Sequence, residues 1–232
     1  MQDKIISYRE MCDQENVQTL QRGMNYKLNG HYSVILMSQR KNSPYNDRIC
    51  DDDQSVEYEG HDCPKTENLK YPKTLDQPRI TKSGKLTQNG LFAKAVEDYK
   101  DQLRKPEIVR VYEKIFAGIW SEKGFFKLID YRYSKDNSGR KVFIFKLTDP
   151  YFESEENNVK GDNLRPRSRI IPSEVKKEVW IRDKGRCVIC GATDELHFDH
   201  DLPYSKGGSS ITAENVKILC ARHNLKKSNK IE

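Results

Sequence analysis

The chain has 232 residues, which is enough for one large domain or for a medium domain and a small one. Hydrophobic residues make up 35% and charged residues 33% of the chain, a polar composition that can still build a core. No run approaches the roughly 18 apolar residues of a membrane span, and the charged start MQDKIISYREMCDQ lacks the apolar segment of a secretory signal. We therefore expect a cytoplasmic protein with no membrane partner.

Positive charge is concentrated towards the end of the chain. The formal net charge is +6, and Lys and Arg outnumber Asp and Glu by 15 to 10 in residues 160–232. In residues 1–159 the corresponding counts are 26 and 25. A basic C-terminal part is expected of a segment that approaches phosphates, although surface charge for solubility explains it almost as well.

The first 150 residues predict a strand-rich unit. A short helix is expected over residues 15–22, a β-branched strand over 31–38, a polar loop, and a second strand over 55–59. Residues 61–90 have little periodicity and are expected to be irregular. Helical spacing of apolar residues follows over 91–103. Three strands are then expected over 108–112, 125–133 and 141–147, the last two joined by a turn at KDNSG (135–139).

The remaining residues divide into a linker and a compact tail. The charged stretch 149–171 contains two prolines, and residues 151–171 are expected to be the linker. Ser173 is a suitable N-cap for a helix that runs to Arg182. The predicted organisation is an α+β protein with a domain over residues 1–150, of which 1–16 form an N-terminal extension, and a second domain over 172–232.

Three of the six cysteines are grouped with a histidine in two short pairs. Cys187 and Cys190 form the first pair, and Cys220 and His223 form the second, each with a spacing of two residues. Thiolates and an imidazole at this spacing suit tetrahedral Zn²⁺, and so small a unit needs a metal to be stable. The alternative is a set of buried free cysteines that are close only in sequence.

The residues around and between these pairs resemble the HNH (ββα-metal) nuclease family. The resemblance rests on HFDHDLP (197–203), SKGG (205–208), Asn215 and LCARHNLKK (219–227). It implies a zinc-stapled ββα-metal fold that hydrolyses phosphodiester bonds with one catalytic Mg²⁺ or Mn²⁺. The matching positions make His200 the general base, Asp199 and Asn224 the ligands of the catalytic metal, Asn215 the residue that orders the loop, and Lys227 a phosphate contact.

The chemistry of these residue types suits that reaction. A neutral imidazole can take a proton from water near neutral pH, and a hard cation on oxygen ligands can stabilise the charge that develops on a phosphate. His197 is open to two interpretations, a strand residue that supports the site or a direct catalytic group. A tail that only binds DNA as a zinc finger would leave Asp199, His200 and Asn224 without a role.

Two tyrosines flank an acidic loop in the first domain. Tyr45 and Tyr58 lie on either side of NDRICDDDQSVE (46–57). Aromatic rings beside carboxylates can hold a flat heterocycle, with the rings on its faces and a carboxylate at its amino group. Tyrosines that fill the edge of a β domain beside a solvated acidic loop are the ordinary alternative.

The order of motifs in this domain resembles the YDG/SRA family. The runs are SVILMS (33–38), PYND (44–47), YEGHD (58–62), DQP (76–78), KLTQNGLFAKA (85–95), PEIVRVYEKI (106–115), GFFKL (124–128) and KVFIFKL (141–147). The resemblance implies a curved β-barrel of the PUA type with flanking helices, which flips a modified cytosine out of the duplex. Tyr45 and Tyr58 would then stack on the base and Asp47 would contact its edge. The spacing between Tyr45 and Asp47 is one residue shorter than in the eukaryotic members of the family, so Asp51 or Asp52 could take that role.

Together the two resemblances match bacterial type IV restriction enzymes. They imply an endonuclease that acts on double-stranded DNA carrying 5-methyl- or 5-hydroxymethylcytosine. One HNH site cuts one strand, so a double-strand break would need a homodimer or two encounters. Two alternatives remain, a non-catalytic reader of modified DNA and a nicking HNH endonuclease that does not depend on modification.

Overall fold

The computed structural model describes residues 3–40, 43, 45–50, 55–67, 69–149, 170–202 and 212–227. Within these ranges no helix is long and apolar enough to cross a membrane. The strands are β1 Asp3–Ser7, β2 Met24–Asn25, β3 Ser33–Met37, β4 Arg48–Cys50, β5 Ser55–Glu59, β6 Glu107–Phe116, β7 Ile119–Lys135, β8 Lys141–Thr148, β9 Leu196–His200 and β10 Val216–Cys220. The helices are α1 Tyr8–Gln14, α2 Gln88–Lys100, α3 Ser173–Arg182 and α4 Ala221–Lys227, with short 3-10 helices at Pro72–Thr74 and Ala213–Asn215.

All of these strands belong to one mixed sheet. Its main order is β10-β9-β1-β7-β6-β3-β2, and β8, β5 and β4 extend it from β7. The β3–β6 pair is parallel, whereas the other ladders are antiparallel. Register shifts between Val111 and Tyr112 and between Leu128 and Asp130 mark irregularities that bend the long strands. The expected sheet-dominated α+β fold is confirmed.

Three apolar clusters fill the spaces around the sheet. The first lies between α2 and strands β2, β3 and β5–β8 and contains Phe92, Val96, Val109, Phe126, Phe143 and Phe145. Strands from distant parts of the sheet share this one core, so the sheet must curve around it. The second packs α3 against β9 and β10, and the third lies beneath α1.

The first helix lies before the predicted one. Residues 15–22 contain no helix, and α1 occupies Tyr8–Gln14 instead. A capping box explains where α1 begins, because the Ser7 hydroxyl accepts from the Glu10 amide while the Glu10 side chain accepts from the Ser7 amide.

Glu15 follows α1 and is drawn into the protein interior. Its buried carboxylate accepts hydrogen bonds from the Tyr112 hydroxyl at 2.6 Å and from the Arg110 guanidinium at 3.1 Å. Because of these long-range bonds, Glu15 forms the C-cap of α1 and does not begin a new helix.

The other predicted elements are found with shifted ends. The strand Ser55–Glu59 has the predicted bounds, and the turn between β7 and β8 lies at the expected place. The helix expected over residues 91–103 begins at Gln88, because the Thr87 hydroxyl accepts from the Gly90 amide as an N-cap. Helix α3 ends at the predicted Arg182, but it begins one residue earlier than expected, with Pro172 and not Ser173 as its N-cap.

Strand β1 takes up Asp3–Ser7 of the expected N-terminal extension. Strand β1 lies in the middle of the sheet, between β7 of the first domain and β9 of the second. The end of the predicted linker is also packed, since Ile170 joins the first core and Ile171 joins the second. The rest of the predicted linker, up to residue 169, lies outside the described residues.

Candidate functional site

The two Cys/His pairs meet at one point near the end of the chain. Cys187 and Cys190 lie in the turn after α3, Cys220 ends β10, and His223 lies in the first turn of α4. Gly191 completes the first turn with φ +74°, a conformation that favours glycine, and its amide donates to the Cys187 carbonyl at 2.8 Å. The four ligand atoms lie within 4.8 Å of one another.

The spacing of these atoms fits a tetrahedral metal. Cys190 Sγ is 3.8 Å from Cys220 Sγ, and His223 Nδ1 is 3.5 Å from Cys187 Sγ and 3.3 Å from Cys220 Sγ. Tetrahedral Zn²⁺ places its ligand atoms about 3.5 to 3.8 Å apart, given metal–ligand bonds of about 2.0 to 2.3 Å. The cluster therefore has both the donor types and the dimensions of a structural zinc site.

The environment of Cys187 favours its thiolate. Burial alone would raise the pKa of this thiol, but backbone amide donors from Cys220, Cys190 and Ile189 lower the pKa to about 6. A thiolate is the form that binds a metal.

Strands β9 and β10 and helix α4 bring the predicted catalytic residues together. Asp199 and His200 end β9, and Asn224 lies on α4 with 3% of its surface exposed. Asn215 lies just before β10, where its side chain accepts from the Leu202 amide at 2.7 Å and donates to the Leu202 carbonyl at 3.2 Å. These two bonds attach the chain after His200 to the residue that precedes β10.

Lys227 lies beside Asp199. Its side chain is 1% exposed, and its ammonium is 2.6 Å from the Asp199 carboxylate and also donates to the His200 carbonyl. The buried ammonium of Lys227 fixes the end of β9 against α4. Its expected role as a phosphate contact stays a prediction.

His200 is partly buried, and its surroundings favour the neutral imidazole. Burial lowers the pKa of His200, an effect that Lys227 adds to and that the carboxylates of Asp199 and Asp3 oppose. The pKa of His197 is also lowered by burial, with a further contribution from Lys4. A neutral imidazole is the form that can accept a proton from water.

Asp199 and Asn224 offer oxygen donors from two facing elements. A carboxylate and an amide are hard oxygen ligands of the kind that Mg²⁺ and Mn²⁺ prefer. The Lys227 ammonium lies on Oδ2 of Asp199, so a cation bound there would share this carboxylate with a neighbouring positive charge. The two donor types suit a hard divalent cation.

The tyrosines of the first domain line a cavity on its surface. The cavity has a volume of about 820 Å³. Tyr45, Asp47 and Tyr58 all contribute to its wall, so the structure brings the predicted base-pocket residues together. The other lining residues are Tyr8, Leu20, Gln21, Arg22, Gly23, Leu36, Ser38, Arg40, Ser43, His61, Lys114, Gly118 and Trp120. Asp51 and Asp52, the alternatives to Asp47, lie outside the described residues.

Asp47 is a buried carboxyl held at the cavity wall by backbone donors. It accepts from the Ser38 amide at 2.9 Å and from the Glu59 amide at 3.1 Å. Burial raises the pKa of Asp47 to about 7 despite these bonds, and the carboxylates of Glu59 and Glu113 add to the effect. A carboxyl with this pKa can donate as well as accept near neutral pH.

The ring next to Tyr45 is that of His61 and not that of Tyr58. The rings of Tyr45 and His61 are nearly parallel, with an angle of 23° and a centroid separation of 5.7 Å. Tyr58 is 1% exposed and belongs to the first core, and its hydroxyl lies 3.2 Å from His61 Nε2. In this structure Tyr58 supports the cavity wall through its hydroxyl and does not form a stacking pair with Tyr45.

The sequence-based interpretation missed His61, although EGHD directly follows Tyr58. Burial lowers the pKa of His61 to about 4, so its ring is neutral at physiological pH. The buried side chain of Asn89 accepts from the His61 amide and donates to the His61 carbonyl, both at 2.8 Å. These two hydrogen bonds fix the backbone of His61 and so hold its ring in position at the cavity.

Basic residues at the cavity were also missed. Arg22, Arg40 and Lys114 line it, and they come from three separate parts of the chain. Cations beside a cavity that suits a flat ring are the groups that a nucleotide's phosphates would contact. No spacing in the sequence links these three residues, and only the fold brings them together.

A comparison with known protein families agrees with the resemblance of the C-terminal part to HNH nucleases. The HNH endonuclease family model matches residues 187–230, a segment that contains the four-residue metal cluster as well as Asp199, His200, Asn215 and Asn224. The resemblance of the C-terminal part to HNH endonucleases is therefore confirmed. No curated protein matches the chain at a significant level.

Several solved structures are similar to the chain. The modification-dependent TagI restriction endonuclease is 20% identical, with 97% of this chain and 75% of that chain covered and a TM-score of 0.41. The SRA domain of SUVH5 in complex with hemimethylated CG DNA is also 20% identical, with 69% and 92% covered and a TM-score of 0.41. The same domain bound to fully hydroxymethylated CG DNA has 20% identity, coverage of 69% and 90%, and a TM-score of 0.42.

Proposed function

We propose that the chain is a modification-dependent DNA endonuclease. Its first domain would capture a 5-modified cytosine that has been flipped out of a duplex, and its second domain would hydrolyse a phosphodiester bond nearby. The observation that carries the proposal is the placement of His200, Asp199 and Asn224 on one ββα unit, within the segment that matches HNH endonucleases. A chain that only binds DNA would have no use for this set.

In the proposed reaction His200 is the general base. Its partly buried imidazole is neutral and can take the proton of the attacking water. Asp199 and Asn224 would hold one Mg²⁺ or Mn²⁺, which when bound stabilises charge on the phosphate and the leaving oxygen. Lys227 holds Asp199 in place, and Asn215 holds the chain that follows His200.

Zn²⁺ at Cys187, Cys190, Cys220 and His223 would be structural. All four positions are taken by protein ligands, which is the arrangement of zinc sites that stabilise a fold. The second core is small and is packed partly from the same segments, so the metal would supply stability that this core lacks.

The cavity supports the choice of a modified base as the captured group. Tyr45 and His61 supply aromatic surface, Asp47 supplies a carboxyl for the Watson–Crick edge, and Arg22 and Arg40 supply positive charge. Base-flipping proteins use this combination of stacking and edge contacts. We place 5-methyl- or 5-hydroxymethylcytosine in double-stranded DNA at this site.

Cleavage of matched plasmids tests the proposal. One plasmid is prepared with unmodified, 5-methylated and 5-hydroxymethylated cytosine and incubated with the protein and Mg²⁺ or Mn²⁺. The expected result is cleavage of at least one modified form and little cleavage of the unmodified one, with none by His200→Ala. Equal cleavage of all forms would favour a nicking HNH endonuclease that ignores modification. Tight binding without any cleavage would favour a non-catalytic reader of modified DNA.

A further inference from the structure

The two domains share a strand. Along one edge β1 pairs with β7 of the first domain, where Ile5 lies opposite Ser121 and Ile6 opposite Trp120. Along its other edge β1 pairs with β9, where Asp3 lies opposite Phe198. The catalytic residues Asp199 and His200 end that same strand β9. The hydrogen-bonded sheet therefore runs without interruption from the domain with the cavity to the unit with the catalytic residues.

A buried group of charges joins the two domains at the same place. Lys176, on α3 of the nuclease domain, is fully buried, and its ammonium is 2.6 Å from Asp3 Oδ2 and 3.1 Å from Glu113 Oε2. The same ammonium lies 2.9 Å from the Ser121 hydroxyl. Lys123 completes the group with an ion pair to Glu113 at 3.0 Å. Two acids from the sheet are thus balanced by two lysines, one of which belongs to the other domain.

The balance of buried charges favours one position of the nuclease domain relative to the first domain. Burial would raise the pKa of Glu113, but the ammonium groups of Lys123 and Lys176 hold the pKa down at about 2. If the nuclease domain rotated or shifted, Lys176 would leave Glu113 and Asp3 buried without one of their cations. Breaking a buried ion pair in this way is strongly unfavourable, so intermediate positions of the domain are disfavoured.

Neighbouring contacts hold α3 in the same position. The Ser173 hydroxyl at the start of α3 contacts both Glu113 and Gln39 of the first domain. Ile170 and Ile171, which lead into α3, are buried in the first and second core respectively. The beginning of the nuclease domain is therefore attached by polar and apolar contacts as well as by the shared strand.

We infer that Lys176 is a positioning residue that holds the nuclease unit in one orientation relative to the base cavity, so that the chain cuts at a fixed distance from the captured base. This inference rests on the proposed function for its meaning in cleavage. It differs from a tethered arrangement, in which the length of the segment between residues 150 and 169 would set how far from the base the nuclease can reach.

Mapping of cut positions separates these two arrangements. The substrate is a duplex with one modified cytosine, and both strands are sequenced after cleavage. One variant carries about eight additional Gly and Ser residues between Asn157 and Asn158, which would add roughly 15 Å of reach to a flexible tether. The fixed orientation predicts the same cut positions as the wild type. A broader or shifted set of cuts in this variant would overturn the inference.

Lys176→Met tests the residue itself. Methionine keeps much of the side-chain volume and removes the charge, so the buried acids lose their cross-domain partner. We expect the cuts of this variant to spread over several phosphates on each side of the wild-type position, while its preference for the modified duplex is retained. Lys177→Met is the matched control, because Lys177 pairs only with Glu174 in its own helix among the described contacts. Unchanged cut positions in both lysine variants would contradict the role of Lys176.

Thermal unfolding supplies a readout that does not depend on the modified base. Domains held as one body should unfold in a single transition in the wild type and in the variant with the longer linker. Lys176→Met should unfold at a lower temperature or in two transitions. If the wild type cuts without regard to modification, the proposed function fails, yet a single transition in the insertion variant would still support the fixed orientation. Two transitions in the wild type would refute the fixed orientation even if modification-dependent cleavage is found.

Discussion

The metal cluster and the base cavity differ in how far apart in sequence their residues lie. The cluster is formed by two pairs of neighbours, and its four ligands lie between Cys187 and His223. The cavity takes residues from Tyr8 to Trp120 and from several elements of the first domain. A site built from short, regular spacings could be predicted in full from the sequence, whereas the cavity could be predicted only in part.

The largest effect is expected when the metal is removed from the Cys/His cluster. Cys187→Ala should lose the zinc and unfold the second domain, because a structural zinc contributes on the order of 10 kcal/mol to folding. The wild type should contain about one tightly held zinc per chain by elemental analysis. Cys63→Ala is the control, since Cys63 lies outside the cluster and should leave zinc content and melting temperature unchanged. A folded, active Cys187→Ala protein would show that the cluster is not structural.

Removal of the general base, His200, should affect catalysis and leave DNA binding and the zinc site intact. His200→Ala should reduce the cleavage rate about 10²- to 10⁴-fold, the usual contribution of a general base, and should keep its affinity for DNA and its zinc. The measurement is single-turnover cleavage of a modified duplex alongside a binding titration. His31→Ala, which removes an exposed histidine, is the control. Cleavage by His200→Ala at an appreciable fraction of the wild-type rate would assign the base to another residue.

The elements that could be predicted are those determined by residues close together in the sequence. Strand Ser55–Glu59 has the bounds that its residues predict, and helix Ser173–Arg182 ends at the predicted residue. Spacing alone could not predict the position of β1, because its neighbours β7 and β9 come more than a hundred residues later in the chain.

The positions of Lys227 and His61 could not be predicted from the sequence, for the same physical reason. A lysine near the end of a helix is usually exposed, but the partly buried Asp199 carboxylate draws the Lys227 ammonium inward. His61 becomes part of the cavity only because the distant residue Asn89 clamps its backbone and Tyr45 packs on its ring. Neither contact has a regular spacing in the sequence.

The cavity can be tested through the partly exposed ring of Tyr45. Tyr45→Ala should lose about 1–3 kcal/mol of stacking on the captured base, and with it about 5- to 150-fold of the preference for modified DNA. Salt-sensitive binding to any duplex should remain, because it depends on Lys and Arg contacts. The measurement is a competition between modified and unmodified duplexes of one sequence at fixed salt. Tyr71→Ala, which removes an exposed tyrosine outside the cavity lining, is the control.

Tyr58 sharpens the same test. Since Tyr58 lies in the first core and contacts His61 through its hydroxyl, Tyr58→Phe keeps the ring and removes only that contact. We expect a smaller loss of preference than in Tyr45→Ala. An equal or greater loss would mean that Tyr58, and not His61, is the second group that contacts the base.

The smallest expected effect is a dependence of binding on pH. The pKa of Asp47 is about 7, so its carboxyl is mostly neutral at pH 6 and mostly ionised at pH 8. A neutral carboxyl can both donate to the ring nitrogen of cytosine and accept from its amino group, whereas a carboxylate can only accept. Preference for the modified duplex should therefore fall as pH rises from 6 to 8.

Asp47→Asn provides the matched comparison for this effect. Its amide also donates and accepts but does not titrate, so its preference should not change over the same pH range. Because the native state of the wild type binds this proton more tightly than the unfolded chain does, Asp47 should also make the wild type less stable as pH rises from about 4 to 7. The same pH dependence of binding in both proteins would assign it to a group other than Asp47.

The central claim is that one chain couples capture of a modified base to hydrolysis at the HNH unit. It is tested most directly by the ratio of cleavage rates on modified and unmodified copies of one duplex, measured for the wild type and for Tyr45→Ala under identical conditions. We expect a large ratio for the wild type and a ratio about 5- to 150-fold lower for Tyr45→Ala, with the slow cleavage of unmodified DNA equal in the two proteins. A wild-type ratio near one for every cytosine modification, with active cleavage of all substrates, would contradict it.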